Sequence, residues 1–273
     1  MKYLITYGDD AFKESRERIR KEAEALHLFD KIIIYTPDDL PNSLKSHPVF
    51  THGRGGLWMW KAYLTLKTLR EINDGDILFY VDCGSSLYPS SEWDHYFRLL
   101  ERKDILAFQI VTRCGAYSKR TVIDHFSRWL GPYWGRYYQV AATLFFMKKS
   151  AFTVAFAEEW LSLFTERLCI EPMGEELKEQ YKDYVAHRWD QSLLSGVVYK
   201  YADRIAIITN NFENRHKGQA IWASRKRDGV TKKVVNERSW IEQHLRRPIG
   251  IMLRATEQQY WKLRNKLYLR KSE

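Results

Sequence analysis

Three short apolar runs within the first 81 residues, separated by two stretches long enough for a helix, confine this chain to few folds. Lys2-Tyr-Leu-Ile-Thr-Tyr7 is β-branched and aromatic and stops at Gly8-Asp9-Asp10, as a buried strand does. Residues 11–28 place Phe12, Ile19, Ala23 and Leu26 on one face, the spacing of an amphipathic helix. Lys31-Ile-Ile-Ile-Tyr35 is a second strand, halted by Thr36-Pro37-Asp38-Asp39. A glycine-rich loop, His52-Gly-Arg-Gly-Gly56, leads to a helix over residues 58–72 that ends at Asn73-Asp74-Gly75. Residues 76–81 are nearly all apolar, as in a central strand of a parallel sheet. Strand, helix, strand, helix, strand predicts an α/β fold with an open, mostly parallel twisted sheet flanked by helices.

Beyond Asp82 the spacing predicts helices over 91–102, 150–167 and 190–201, and strands over 105–111, 140–147 and Ile205–Thr209. Residues 113–138, rich in Tyr, Trp, Arg and Gly, have no clean period and read as a substrate loop or lid. The most apolar stretch, 140–147, is far short of the roughly 20 residues of a membrane span. With 45% hydrophobic residues the chain can bury a core, which excludes wholesale disorder. No signal peptide is read ahead of the first strand, and Cys83, Cys114 and Cys169 lie too far apart for a metal or disulfide framework. The expected location is cytoplasmic.

Charge is unevenly placed. From Arg215 to Glu273 there are 16 Lys/Arg against 5 Asp/Glu, whereas residues 1–214 hold 28 against 29. The expected partition is a body over 1–217 and a basic helical C-terminal appendage over 218–273. Residues 256–271 put Tyr260, Leu263 and Leu267 on one helical stripe among Lys262, Arg264, Lys266, Arg270 and Lys271. Such a helix lies on an anionic membrane face or packs its stripe on the protein's own body. Nucleic acid is another polyanion, but none of its binding motifs is present and none is expected as a partner.

Ligands of open parallel sheets gather at the carboxyl ends of the strands, where Thr6-Tyr7-Gly8, Tyr80-Val81-Asp82-Cys83-Gly84-Ser85 and the glycine-rich loop between them fall. Asp82, leaving an apolar strand beside Gly84, suits a divalent cation or a sugar hydroxyl, or else caps a turn. In Gly53-Arg54-Gly55-Gly56-Leu57-Trp58-Met59-Trp60-Lys61 the glycines admit a ligand close to backbone. Arg54 and Lys61 add positive charge at a helix start, and the tryptophans add flat faces. Asp190 opens a helix, where it either serves an acceptor hydroxyl or caps the helix. His216 suits a metal shell or a diphosphate.

The ordered set Tyr3-Leu-Ile-Thr-Tyr-Gly8, Arg54-Gly-Gly-Leu-Trp-Met-Trp-Lys61, Gly75-Asp-Ile-Leu-Phe-Tyr-Val-Asp-Cys-Gly84 and His187-Arg-Trp-Asp-Gln-Ser-Leu-Leu-Ser195 resembles one family. It looks like bacterial and viral glycosyltransferases of the nucleotide-diphospho-sugar transferase type. These have the GT-A fold and serve capsule and lipopolysaccharide assembly. The resemblance covers residues 1–217 and implies transfer of a sugar from a nucleotide-diphosphate donor, such as a UDP-sugar, to a hydroxyl of a saccharide or lipid-linked acceptor. It further implies that Thr6, Tyr7, Gly8, Arg54, Gly55, Gly56, Trp58, Lys61, Asp82 and Gly84 meet the donor, and that Trp129, Trp134 and Gln191 meet the acceptor. Asp190 is then the candidate base. The family's Asp-x-Asp motif holds Mn²⁺ or Mg²⁺, yet this chain has Asp82-Cys83-Gly84 there. The ion is expected on Asp82 and His216, or replaced by Arg54, Lys61 and the basic tail. The missing carboxylate also suits a catalytically inactive sugar-binding relative.

Overall fold

The computed structural model describes residues 1–209, 212–228 and 247–272, so residues 229–246 of the expected appendage lie outside the described residues. The strands are β1 (Lys2–Tyr7), β2 (Lys31–Tyr35), β3 (Ile77–Val81), β4 (Ser86–Leu87), β5 (Ile105–Arg113), β6 (Tyr138–Lys148), β7 (Ile205–Thr209) and β8 (Ile221–Trp222). The longer helices are α1 (Lys13–Leu26), α2 (Met59–Glu71), α3 (Glu92–Arg102), α4 (Arg120–Leu130), α5 (Ala151–Ser162), α6 (Trp189–Lys200) and α7 (Arg247–Ser272).

Six strands form one sheet in the order β2-β1-β3-β6-β5-β7, and β4 pairs with β8 in a separate ribbon. Five strands of the large sheet share one direction; β6 runs against both its neighbours. The inverted strand is a finding that hydrophobic pattern does not carry, because a buried run reads alike in either direction.

Period-two alternation sorts the side chains into two layers. Tyr3, Ile5, Leu78 and Tyr80 face a core built with α2, α4, α5 and α6, whereas Leu4, Phe79 and Val81 face one built with α1 and α3. Residues 113–138 are a correction to the lid expectation. Its middle is α4, whose Val122, Ile123 and Phe126 are fully buried, and Trp134 is buried with them. All three cysteines are free and buried.

Helix α6 is buried along almost its whole length. A Cβ built on Gly196 would lie 2.2 Å from the Phe126 ring, so glycine is what allows α6 to meet α4. Gly196→Ala is expected to cost about 1–3 kcal/mol through overpacking, measured by denaturant unfolding.

Both described ends of the basic region pack on the body. Residues 219–228 follow β4, and Asp228 accepts hydrogen bonds from the Glu14 and Ser15 N–H groups that open α1. Helix α7 docks through polar contacts: Gln258 accepts from the Tyr138 N–H, Asn265 from the Tyr133 N–H, and Glu257 pairs with Arg113 at 2.6 Å. Tyr260, Leu263 and Leu267 face outward, each about half exposed. No described helix is long and apolar enough to cross a membrane.

Candidate active site

β1 and β3 lie side by side, with the chain leaving β1 outward to β2 and returning on the other side to β3. This is a topological switch point, where a crevice opens beyond the carboxyl ends of the strands. A cavity of about 980 Å³ occupies it, lined by Tyr7, Gly8, Gly55, Trp58, Lys61, Asp82, Gly84, Asp190 and Gln191 among others.

Asp82 is the next residue in the Leu78–Tyr80 alternation, so it turns toward α2. The Tyr80 hydroxyl donates to it at 2.5 Å, and the Lys61 ammonium lies 3.4 Å away. The same ammonium donates to Asp190 at 2.8 Å from full burial. Lys61 therefore bridges the two carboxylates that sequence reading singled out. Burial alone would lower Lys61, but the charges of Asp190 and Asp82 outweigh it and hold the ammonium above its ordinary range. Burial raises Asp190, with Lys61 opposing. Burial, reinforced by Asp82, raises the Tyr80 phenol well above its usual value, so it stays a donor. Burial also pushes the Cys83 thiol to about 12, which removes it as a nucleophile.

Asp190 is not the helix cap. The N-cap position of α6 is Arg188, and Asp190 is the helix's second residue. Beside it, Gln191 donates to Gln139 on β6 at 2.7 Å. The glycine-rich turn is left-handed over Gly55, Gly56, Leu57 and Trp58. A tryptophan at φ +63° is strained by roughly 1–3 kcal/mol, and here it packs on Trp189 at 5.1 Å, itself at φ +23°. Tyr7 stacks on Trp60 at 4.0 Å. Of Arg54 only the backbone is described, so its expected role rests on a side chain outside the described residues.

Several expected residues stand elsewhere. Thr6 has the opposite parity to Tyr7, and its hydroxyl is buried away from the cavity lining. Gly56 lies against Phe50. Trp134 is a core residue whose indole N–H donates to the Ile123 carbonyl at 2.6 Å. Trp129 lines a different cavity, under α7. His216 is not on the lining with Asp82; its backbone N–H donates to Gln219 at 3.2 Å. Among the described residues no group of three or more His, Cys, Asp or Glu could hold a metal ion. With an ammonium between Asp82 and Asp190, the donors present do not fit a divalent cation, and no step below is routed through one.

Where the second carboxylate was expected, the chain is closely packed. A Cβ on Gly84 would lie 3.0 Å from the Lys226 carbonyl oxygen. The Gly84 carbonyl accepts from the Lys226 N–H and the Ser224 hydroxyl, both at 2.9 Å. That clasp brings Arg225 and Arg227 onto the lining, where they join Arg188. Arg225 pairs with Glu213 at 3.0 Å, while Arg188 and Arg227 have no carboxylate in ion-pair reach among the described residues. Helix α1 braces the same loops: Arg16 donates to the Gly8 carbonyl, and Arg18 to those of Cys83 and Ser85. Arg225 and Arg227 belong to the basic tail expected to stand in for the ion, whereas Arg16, Arg18 and Arg188 carried no expected role, because theirs follows only from how the loops fold together.

Neither a family model nor a curated protein matches this sequence. Solved structures similar to it include the apo form of mouse xyloside xylosyltransferase 1, at 12% identity and TM-score 0.42, covering 76% of this chain and 85% of that one. A second is an active-site mutant of LgtC, at 14% identity and TM-score 0.42, covering 85% of each chain. A third is a glycosyltransferase involved in glycosylation of the major capsid of PBCV-1, at 10% identity and TM-score 0.40, covering 76% and 81%.

Proposed function

We propose that the chain is a glycosyltransferase moving a sugar from a nucleotide-diphosphate donor, a UDP-sugar by preference, to a hydroxyl of a saccharide or lipid-linked acceptor. The observation that carries this reading is convergence. The loop after β1, the left-handed turn before α2, Asp82 and Asp190 all border one cavity at the switch point. Tyr7 and Trp58 offer flat faces to the base and ribose. Arg188 and Arg227 stand where positive charge would offset that developing on the departing diphosphate. Asp82, held by Tyr80 and Lys61, accepts a hydroxyl of the donor sugar. Asp190 accepts the proton of the attacking hydroxyl if the anomeric centre is inverted; under retention it positions Lys61. The basic C-terminal region brings the enzyme to an anionic membrane face.

Incubating the full chain with a panel of nucleotide sugars, with and without Mn²⁺ or Mg²⁺, tests this reading. Donor hydrolysis or transfer is expected, falling about 10²-fold in Asp82→Asn with the fold retained. Absence of both nucleotide binding and donor hydrolysis would overturn it. Gly84, in place of a second carboxylate, favours one other reading, a sugar-binding relative without turnover; that protein would bind nucleotide sugar and leave it intact.

A further inference from the structure

A second cavity, of about 470 Å³, lies between the C-terminal ends of α4 and α6 and the flank of α7. Its walls include Trp129, Tyr199, Lys262, Asn265, Lys266 and Arg270, and no acidic side chain is among the described residues lining it. Lys262, Lys266 and Arg270 recur every four residues, so they form one row along α7. Arg128 and Lys200 stand over the faces of Trp129, at 3.8 and 4.3 Å, and Lys262 stands over Tyr199 at 5.7 Å. Burial lowers Lys262 with no opposing partner. Lys200 is paired with Glu159 at 2.8 Å, but Lys262, Lys266 and Arg270 bring positive charge to an aromatic floor whose described lining holds no acid.

The next row of the same helix is apolar. Ile249, Met252, Leu253, Tyr260, Leu263 and Leu267 share one stripe and are 47–61% exposed, while Gln258 and Asn265 hold the opposite face to the body. A soluble phosphate needs only the cations; a lipid needs both rows side by side. We infer that this cavity receives the phosphate headgroup of an anionic lipid while the apolar row of α7 enters the bilayer surface. This deepens the membrane contact proposed above and is independent of sugar transfer, because its test reads binding and no turnover.

The test is sedimentation of the full chain with vesicles of phosphatidylcholine alone, or of phosphatidylcholine and phosphatidylglycerol at three to one. The protein is expected on the anionic vesicles only. The triple variant Lys262→Gln, Lys266→Gln, Arg270→Gln is expected to bind on the order of a hundredfold more weakly, from roughly fivefold per basic residue. Arg20→Gln, Lys21→Gln, Lys45→Gln removes the same charge at positions outside α7 and is expected to keep most of the binding. Equal loss in both triples, no loss in the first, or equal binding to neutral vesicles would overturn the inference. So would calorimetric binding of glycerol 1-phosphate by a protein that sediments with neither vesicle. Unfolding curves for both triples, expected to match the unmodified chain, confirm that binding is being compared between folded proteins.

Discussion

Lys61→Met should destabilise the protein by about 3–5 kcal/mol, the cost of removing one partner from a buried ion pair. The substitution keeps the length and apolar stem of the side chain but takes the only ion-pair partner described for Asp190, a carboxylate nine-tenths buried beside α6. Asp82 suffers less because it is more exposed and keeps the Tyr80 hydroxyl. With the ammonium gone, burial acts on Asp190 with less opposition, and its affinity for a proton rises further above the ordinary 3.8. The sign of the pH dependence follows. Between 3.8 and the raised native value the folded state binds more protons than the unfolded one, so the variant loses stability as pH rises through that window. The unmodified protein has the stabilising Lys61 contribution below the unfolded lysine value of 10.5 and loses it at higher pH. Urea unfolding at a series of pH values measures both effects. An unchanged midpoint in Lys61→Met would mean that the ammonium does not bridge the carboxylates in solution.

Asp190→Asn should do the reverse, sparing the fold and removing turnover. The amide oxygen can still accept from Lys61, which keeps Asp82 at 3.4 Å as its charge partner, so unfolding should shift little. A positioned base contributes about 10²–10⁴-fold to rate. Under inversion kcat should fall by that factor, with donor KM changed much less. Because burial raises Asp190, the unmodified enzyme should lose activity as pH drops through a value above 3.8, and the variant should lose that acid limb. Initial rates with donor and acceptor from acid to neutral pH give both readouts. Full turnover in Asp190→Asn would remove Asp190 from the chemistry.

The parts of the molecule that were legible in advance are those with local signals. β1, β2 and β3 were marked by apolar runs, and α2 by the glycine-rich turn before it. The strand-end rule places Tyr7, Gly55, Trp58, Lys61 and Asp82 at one crevice, and the start of α6 adds Asp190 to it. Strand direction is not a local property, so the inverted β6 was invisible. Helix α4 was obscured by its Trp, Arg and His residues, although Val122, Ile123, Phe126 and Leu130 have helical spacing. Trp129 and Trp134 are both expected at the acceptor. Burial separates them, one into the core and one toward α7. Arg225 and Arg227 reach the cavity through pairing of Ser86–Leu87 with Ile221–Trp222, across about half the chain.

The clasp on Gly84 also shapes which sequences can neighbour this one. Gly84→Asp, taken alone, would set its Cβ 3.0 Å from the Lys226 carbonyl oxygen, so the backbone that carries Arg225 and Arg227 must give by a few tenths of an ångström. A carboxylate gained at residue 84 therefore moves the arginine side of the cavity together with the acidic one.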